Sequence, residues 1–92
     1  MSSADVVEVD ARGLRCPIPV IRLGGAIKDL RAGDLVRLLA TDPAARADVA
    51  AFCRLRGHEL VNTAEESDHT AYLVRVASPA GGPVVGSAER LG

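Results

Sequence analysis

Aromatic side chains are almost missing from this 92-residue chain: Phe52 and Tyr72 are the only two, and tryptophan is absent. That scarcity removes the stacking platforms on which single-stranded nucleic-acid binders rely. Charge of one sign is missing too, since eleven Lys and Arg stand against twelve Asp and Glu. No basic field exists to hold a phosphate backbone, so direct nucleic-acid binding is not expected. Cysteine is scarce: Cys16 and Cys53 are the only two and form no Cys-x-x-Cys pair. Two are too few for a disulfide scaffold or a zinc site, so no metal is expected. No apolar run approaches the ~20 residues of a membrane span. The opening Met1-Ser2-Ser3-Ala4-Asp5 lacks the basic and apolar regions of a signal peptide. These absences predict a cytoplasmic protein with no membrane role.

What remains is the composition of an ordinary globular domain, 48% hydrophobic and 25% charged. A chain of this length holds one domain and buries roughly 60% of its unfolded surface. Val6-Val7-Glu8-Val9-Asp10, β-branched and followed by Gly13, reads as a strand. Beyond Pro17, Val20, Leu23, Ile27 and Leu30 recur at helical spacing and predict an amphipathic helix ending near Gly33, with Lys28 and Arg31 in its last turn. Residues 35–40 read as a buried strand. Asp42-Pro43 is a helix start, a capping carboxylate followed by the residue whose missing N–H is harmless at the first helical position. That second helix runs to about Arg56, with Gly57 as its cap and Ala45, Val49, Phe52 and Cys53 on its inner face. Residues 58–63 and 71–76 read as strands joined by a polar hairpin loop over 64–70. The predicted fold is a two-layer α/β (α+β) sandwich of order βαβαββ, a four-stranded mixed sheet with two helices on one face. The domain covers residues 1–77, and 78–92 reads as a flexible C-terminal tail, a monomer being the default state.

One cysteine stands apart. In Arg15-Cys16-Pro17-Ile18-Pro19 the two prolines fit only the first turn of a helix, which predicts that Cys16 is its N-cap. The amides of Ile18 and Val20 then point toward the sulfur as free donors. A helix dipole contributes about 0.3 to 1 kcal/mol; with Arg12 and Arg15 beside it, a thiol of about 8.5 is expected to move toward 7. Cys53 falls on the core-facing stripe of the second helix, ~15 Å along it, beyond the ~7 Å Cα limit for a disulfide to Cys16. The carboxyl edge of the parallel strands gathers Arg12, Gly13, Arg15 and Cys16 with Thr41 and Asp42, and capping alone accounts for Asp42. His58 belongs to the opposite edge. His69 returns to the reactive edge if the third strand runs parallel to the first two.

The stretch Asp10-Ala11-Arg12-Gly13-Leu14-Arg15-Cys16-Pro17-Ile18-Pro19 resembles the signature of the TusA (SirA-like) sulfur-carrier family, a Cys-Pro-x-Pro motif opening the first helix. Ala40-Thr41-Asp42-Pro43 and Phe52-Cys53-Arg54 through Gly57-His58-Glu59-Leu60 are similar to the second-helix region of that family, and the resemblance covers residues 6–76. It implies a sulfurtransferase in which Cys16 is the catalytic residue, with Arg12, Gly13, Arg15, Pro17, Ile18, Pro19 and Asp42 in support and no cofactor. Cys16 would accept sulfane sulfur as a persulfide from a cysteine desulfurase or rhodanese-like donor. An acceptor protein in tRNA thiolation, molybdenum cofactor assembly or sulfur oxidation would take it onward. The chain departs from many relatives in carrying Gly24-Gly25 in the first helix, where two glycines cost roughly 2 kcal/mol relative to alanine. A second reading has the same fold serve as a non-catalytic regulatory or interaction module, with Cys16 only capping a helix. A third, a thiol redox sensor, lacks a resolving cysteine close by.

Overall fold

The computed structural model describes residues 6–77. Its elements are β1 (Val6–Ala11), α1 (Ile18–Ile27), β2 (Leu35–Ala40), α2 (Ala45–Arg56), β3 (Glu59–Glu65) and β4 (Thr70–Arg75), in the βαβαββ order the sequence implies. The expected tail over 78–92 lies outside the described residues.

Strand order in the sheet is β1-β2-β4-β3. β1 and β2 pair in parallel, from Val6 opposite Leu35 to Ala11 opposite Ala40. β4 is antiparallel to both β2 and β3, so β3 runs in the direction of β1 and β2. Alternation along the strands then decides which side is buried. Val36, Leu38 and Ala40 of β2 and Tyr72 and Val74 of β4 face the helices, where they pack with Leu23 and Ile27 of α1 and Val49 and Cys53 of α2. Glu8, Arg37, Asn62 and Leu73 line the other face. One apolar core therefore lies between one sheet and one helical layer. It is well filled: Leu23, Leu38, Val36 and Val49 expose none of their surface.

Helix α1 is shorter than its apolar spacing suggests. It ends at Ile27 rather than near Gly33, because the amides of Asp29 and Leu30 turn back to the carbonyls of Ala26 and Ile27 at 3.3 and 2.9 Å in tighter, three-residue turns. Leu30 keeps its place against the core although it has left the helix. Lys28 is consequently the C-cap, and no basic residue lies in the last turn. Gly33 instead donates to the Val76 carbonyl at 2.8 Å on the approach to β2. Helix α2 closes as expected, Arg54 and Arg56 in its last turn and Gly57 at φ 80°, a left-handed cap that a Cβ would disfavour. The β3–β4 loop contracts to residues 66–69, because Ala64 and Glu65 still pair with Ala71 and Thr70.

Gly24 and Gly25 are not required by close packing. A methyl group on Gly24 would meet the Phe52 ring at 3.6 Å, an ordinary contact, and one on Gly25 would meet nothing within 4 Å. Both residues have helical neighbours and no positive φ, so alanine should be better at each. Gly25→Ala is expected to raise stability by about 0.5 to 1 kcal/mol, seen as a higher urea midpoint at unchanged slope. A lower midpoint would show that the glycine serves the backbone in some other way.

Candidate functional site

Parallel pairing of β1 and β2 brings the loop after β1 and the loop after β2 to the same sheet edge. Two consecutive turns shape the first loop. Leu14 donates to the Ala11 carbonyl at 3.2 Å, and Ile18 donates to the Arg15 carbonyl at 2.9 Å. Gly13 takes φ 82°, which L side chains rarely adopt, and its N–H donates to Thr41 Oγ1 at 2.9 Å across the two loops. Cys16 lies inside the second turn, followed by a cis peptide to Pro17. Its own N–H donates to Asp42 Oδ2 at 2.9 Å.

Asp42 has a second bond. Its Oδ1 accepts from Ala44 N at 2.9 Å, and its carbonyl accepts from Ala45 N at 2.9 Å, so it braces the turn ahead of α2; the N-cap is Ala44 and not Asp42 as the sequence suggests, because residues 43 and 44 form that turn and the helix begins only at Ala45. The carboxylate thus ties α2's entry to the cysteine loop. Those two backbone donors, Cys16 first and Ala44 second, hold its carboxyl below the usual carboxylate range, and the charge of Arg15 adds to the effect. Gly13, Leu14, Arg15, Thr41, Asp42 and Pro43 line a shallow open depression beside the loop.

The structure corrects the expected chemistry of the thiol. Cys16 is not the N-cap of α1: that position belongs to Pro17, and the first helical residue is Ile18. Ile18's amide is spent on the Arg15 carbonyl and is not free for the sulfur. Arg12 turns away from Cys16, its Nε and Nη2 each 2.9 Å from the Asp10 carboxylate, which it holds down to about 2. One of the two cations expected to acidify the thiol is therefore already neutralised. Cys16 is half-buried against the core. Burial first, then a hydrogen bond to the Asp48 side chain, then the charges of Asp48 and Asp42, push its thiol up to about 11. The thiolate is roughly one part in ten thousand at pH 7, not the half that a thiol near 7 would give.

The structure brings Gly13, Arg15, Cys16, Pro17, Ile18, Thr41 and Asp42 to one edge; Pro19 is buried under it and Arg12 is diverted. Asp48 is the addition. It follows Ala45 by three positions and precedes core-facing Val49, a spacing that puts it on the flank of α2 beside the inner stripe. His69 does return to this edge, since β3 runs with β1 and β2. Its ring, however, lines the open sheet face with Glu8 and Arg37 and pairs with Asp68 Oδ1 at 2.6 Å, away from Cys16. His58 lies at the opposite edge, where its Nδ1 accepts from Ala77 N at 2.9 Å. Cys53 is 3% exposed in the core, and both cysteines are free thiols.

A two-layer α/β domain that presents one cysteine on a Cys-Pro-x-Pro loop defines a class of small thiol proteins. The family described as Sulfurtransferase TusA matches residues 7–76, and the chain belongs to that family. A protein from Pseudomonas aeruginosa strain LESB58 named sulfur carrier protein TusA is 44% identical over 73 residues, 79% of this chain and 91% of the relative. Its namesake from Pseudomonas paraeruginosa is 45% identical over 67 residues, covering 73% and 85% of the two chains. A third, from Pseudomonas putida strain W619, is 43% identical over 67 residues, covering 73% and 84%.

Two consequences can be measured. Iodoacetamide alkylation of Cys16, followed on its own peptide, should rise about tenfold per pH unit from 7 to 10 and bend only near 11. A plateau near neutrality would refute the suppressed thiol. Asp42 has a lowered carboxyl in the folded state, so its contribution to stability is present above the unfolded value near 4 and is lost as pH falls through the folded one. Asp42→Ala should therefore be less stable than the parent at pH 7, with the gap in melting temperature narrowing steadily as pH falls below about 4.

Proposed function

We propose that the protein is a sulfurtransferase-type sulfur carrier that holds sulfane sulfur as a persulfide on Cys16. The observation that carries this reading is the contrast between the two cysteines. Cys16 is on a loop at the sheet edge, tied in place by Asp42, whereas Cys53 is sealed in the core. Family membership supports the same reading, as do relatives named sulfur carrier proteins. Ile18 and Ile21, on the first turn of α1 beside the cysteine, are 41% and 60% exposed, apolar surface suited to a protein partner rather than a small molecule.

The exchange is balanced without a cofactor. Cys16 Sγ attacks the outer sulfur of a donor persulfide, a new Sγ–S bond forms, the donor's S–S bond breaks, and the proton lost by Cys16 ends on the donor thiolate. Net, a thiol and a persulfide exchange places. Delivery onward is the same step with the acceptor's thiolate as nucleophile and Cys16 as leaving group. A cysteine desulfurase or rhodanese-like protein is the donor in this scheme. The acceptor is a protein of tRNA thiolation, molybdenum cofactor assembly or sulfur oxidation. We place the monomeric carrier in the cytoplasm, where thiols stay reduced.

Incubating the reduced protein with a cysteine desulfurase and cysteine, then reading intact mass without reductant, tests this. The parent should gain one sulfur atom and Cys16→Ser none, while Cys53→Ala should still load. Loading of Cys16→Ser, or no loading of the parent by either a desulfurase or a rhodanese donor, would overturn the assignment.

A further inference from the structure

Two adjacent side chains on one loop take two amides, three residues apart, on the other. Ala11 and Ala40 end the β1–β2 ladder as a buried pair, and the chain beyond each has left the sheet. Directly after Ala40, Thr41 Oγ1 accepts from Gly13 N at 2.9 Å, and Asp42 Oδ2 accepts from Cys16 N at 2.9 Å. A single hydrogen bond is a pivot about which a segment can turn. Two of them, one at each end of Gly13-Leu14-Arg15-Cys16, fix its direction, with Gly13 at φ 82° as part of the arrangement. Asp42 divides its carboxylate between two elements, since its other oxygen accepts from Ala44 N, whereas the Thr41 hydroxyl reaches only across to the cysteine loop. The clamp lies at the surface, along the open depression that Gly13, Arg15, Thr41 and Asp42 help to line.

We propose that Thr41 is a positioning residue for Cys16: its hydroxyl oxygen, together with the Asp42 carboxylate, clamps the segment 13–16 and so fixes the direction from which the Cys16 sulfur meets a donor persulfide. This deepens the sulfur-carrier reading and rests on it for the reaction, although the clamp itself is a property of the free protein. Transfer needs three sulfurs close to one line: Cys16 Sγ, the outer sulfur it attacks and the donor sulfur that leaves. Misplacing such an alignment by about 1 Å can cost about a hundredfold in rate. Thr41 touches none of the three and acts through the backbone of the cysteine loop. A small alkylating agent approaches a thiol from any open side and is indifferent to that direction. A donor protein is not, because its own surface dictates its approach.

The experiment compares the parent with Thr41→Val, which keeps the shape and lacks the acceptor, and with Thr41→Ser, which keeps the acceptor. Gly13 and Thr41 are both exposed, so water replaces the lost bond and the fold survives. Cys53, buried in the core, reports this by resisting alkylation, and Thr41→Ala takes the place of valine if valine exposes it. In the free protein, hydrogen exchange of the Cys16 amide should quicken about three- to tenfold in Thr41→Val and stay parental in Thr41→Ser, with the Leu38 amide of β2 unchanged in both. Single-turnover transfer from a persulfide-charged cysteine desulfurase to excess carrier should have a saturating rate about three- to tenfold lower in Thr41→Val, at a half-saturating concentration within about twofold of the parent, and serine should restore it. Alkylation of Cys16 by iodoacetamide should stay within about twofold of the parent in every variant. Parental exchange at Cys16 in Thr41→Val, or a parental saturating rate, would overturn the proposal. So would an equal fall in transfer and alkylation, which puts the effect on the thiol's acidity rather than its direction. Failure of the parent to load refutes the sulfur-carrier reading, and exchange at Cys16 still decides the clamp.

Discussion

One carboxylate joins the two loops on which this site depends. Asp42 uses one oxygen on the amide of Cys16 and the other on the amide of Ala44, so the entry to α2 and the position of the cysteine are the same structural fact. Charge-assisted bonds of this kind are short and directional. The bond between Gly13 and Thr41 Oγ1 runs in the same sense, one loop to the other, and depends on a backbone conformation that glycine adopts without strain. Each loop has turns of its own, and these two bonds fix one against the other. Because both spring from adjacent parallel strands, their spacing is set by the Ala11–Ala40 pair at the end of the ladder.

Electrostatics at this edge run against what the neighbouring residues suggest. Two arginines precede the cysteine in sequence, yet one is held by Asp10 and the other is felt through its charge at Asp42. Two carboxylates are left as the charges that act on the sulfur. Proximity along the chain is a poor guide to field, because a side chain of arginine's reach finds the nearest strong acceptor and a thiol does not compete. A free carrier with an acidic thiol would be open to oxidation and to any electrophile in the cell, whereas a protonated thiol is a weaker target.

Much of the fold was legible because its signals are redundant. Asp42-Pro43 announces α2, which begins shortly after at Ala45, Gly57 closes it, and Leu35 to Ala40 is a strand by both length and composition. The end of α1 was not, since Leu30 continues the apolar spacing of Leu23 and Ile27 while its backbone has already turned. Periodicity records which side chains are buried and does not record which carbonyls their amides reach. Cys16 was singled out in the sequence by the two prolines after it, but its environment was not legible. Its burial, the charges of Asp42 and Asp48 that act on it and the diversion of Arg12 all arise from contacts between segments distant in sequence or from side-chain choices that spacing does not fix. Asp48 carried a faint signal, a carboxylate three positions after a buried alanine and directly before a buried valine.

The strand order has a consequence for synthesis. β4, the last element described, is inserted between β2 and β3 and supplies Tyr72 and Val74 to the core. A nascent chain that has emerged only as far as β3 has a parallel β1–β2 pair but nothing to which β3 can bond, and a core open along its middle. The ladder β2–β4 spans residues 35 to 75, contacts that close late and over long loops. Folding on the ribosome therefore waits for the final strand, and the cysteine loop at the sheet edge acquires its fixed geometry only once the whole domain has left the exit tunnel.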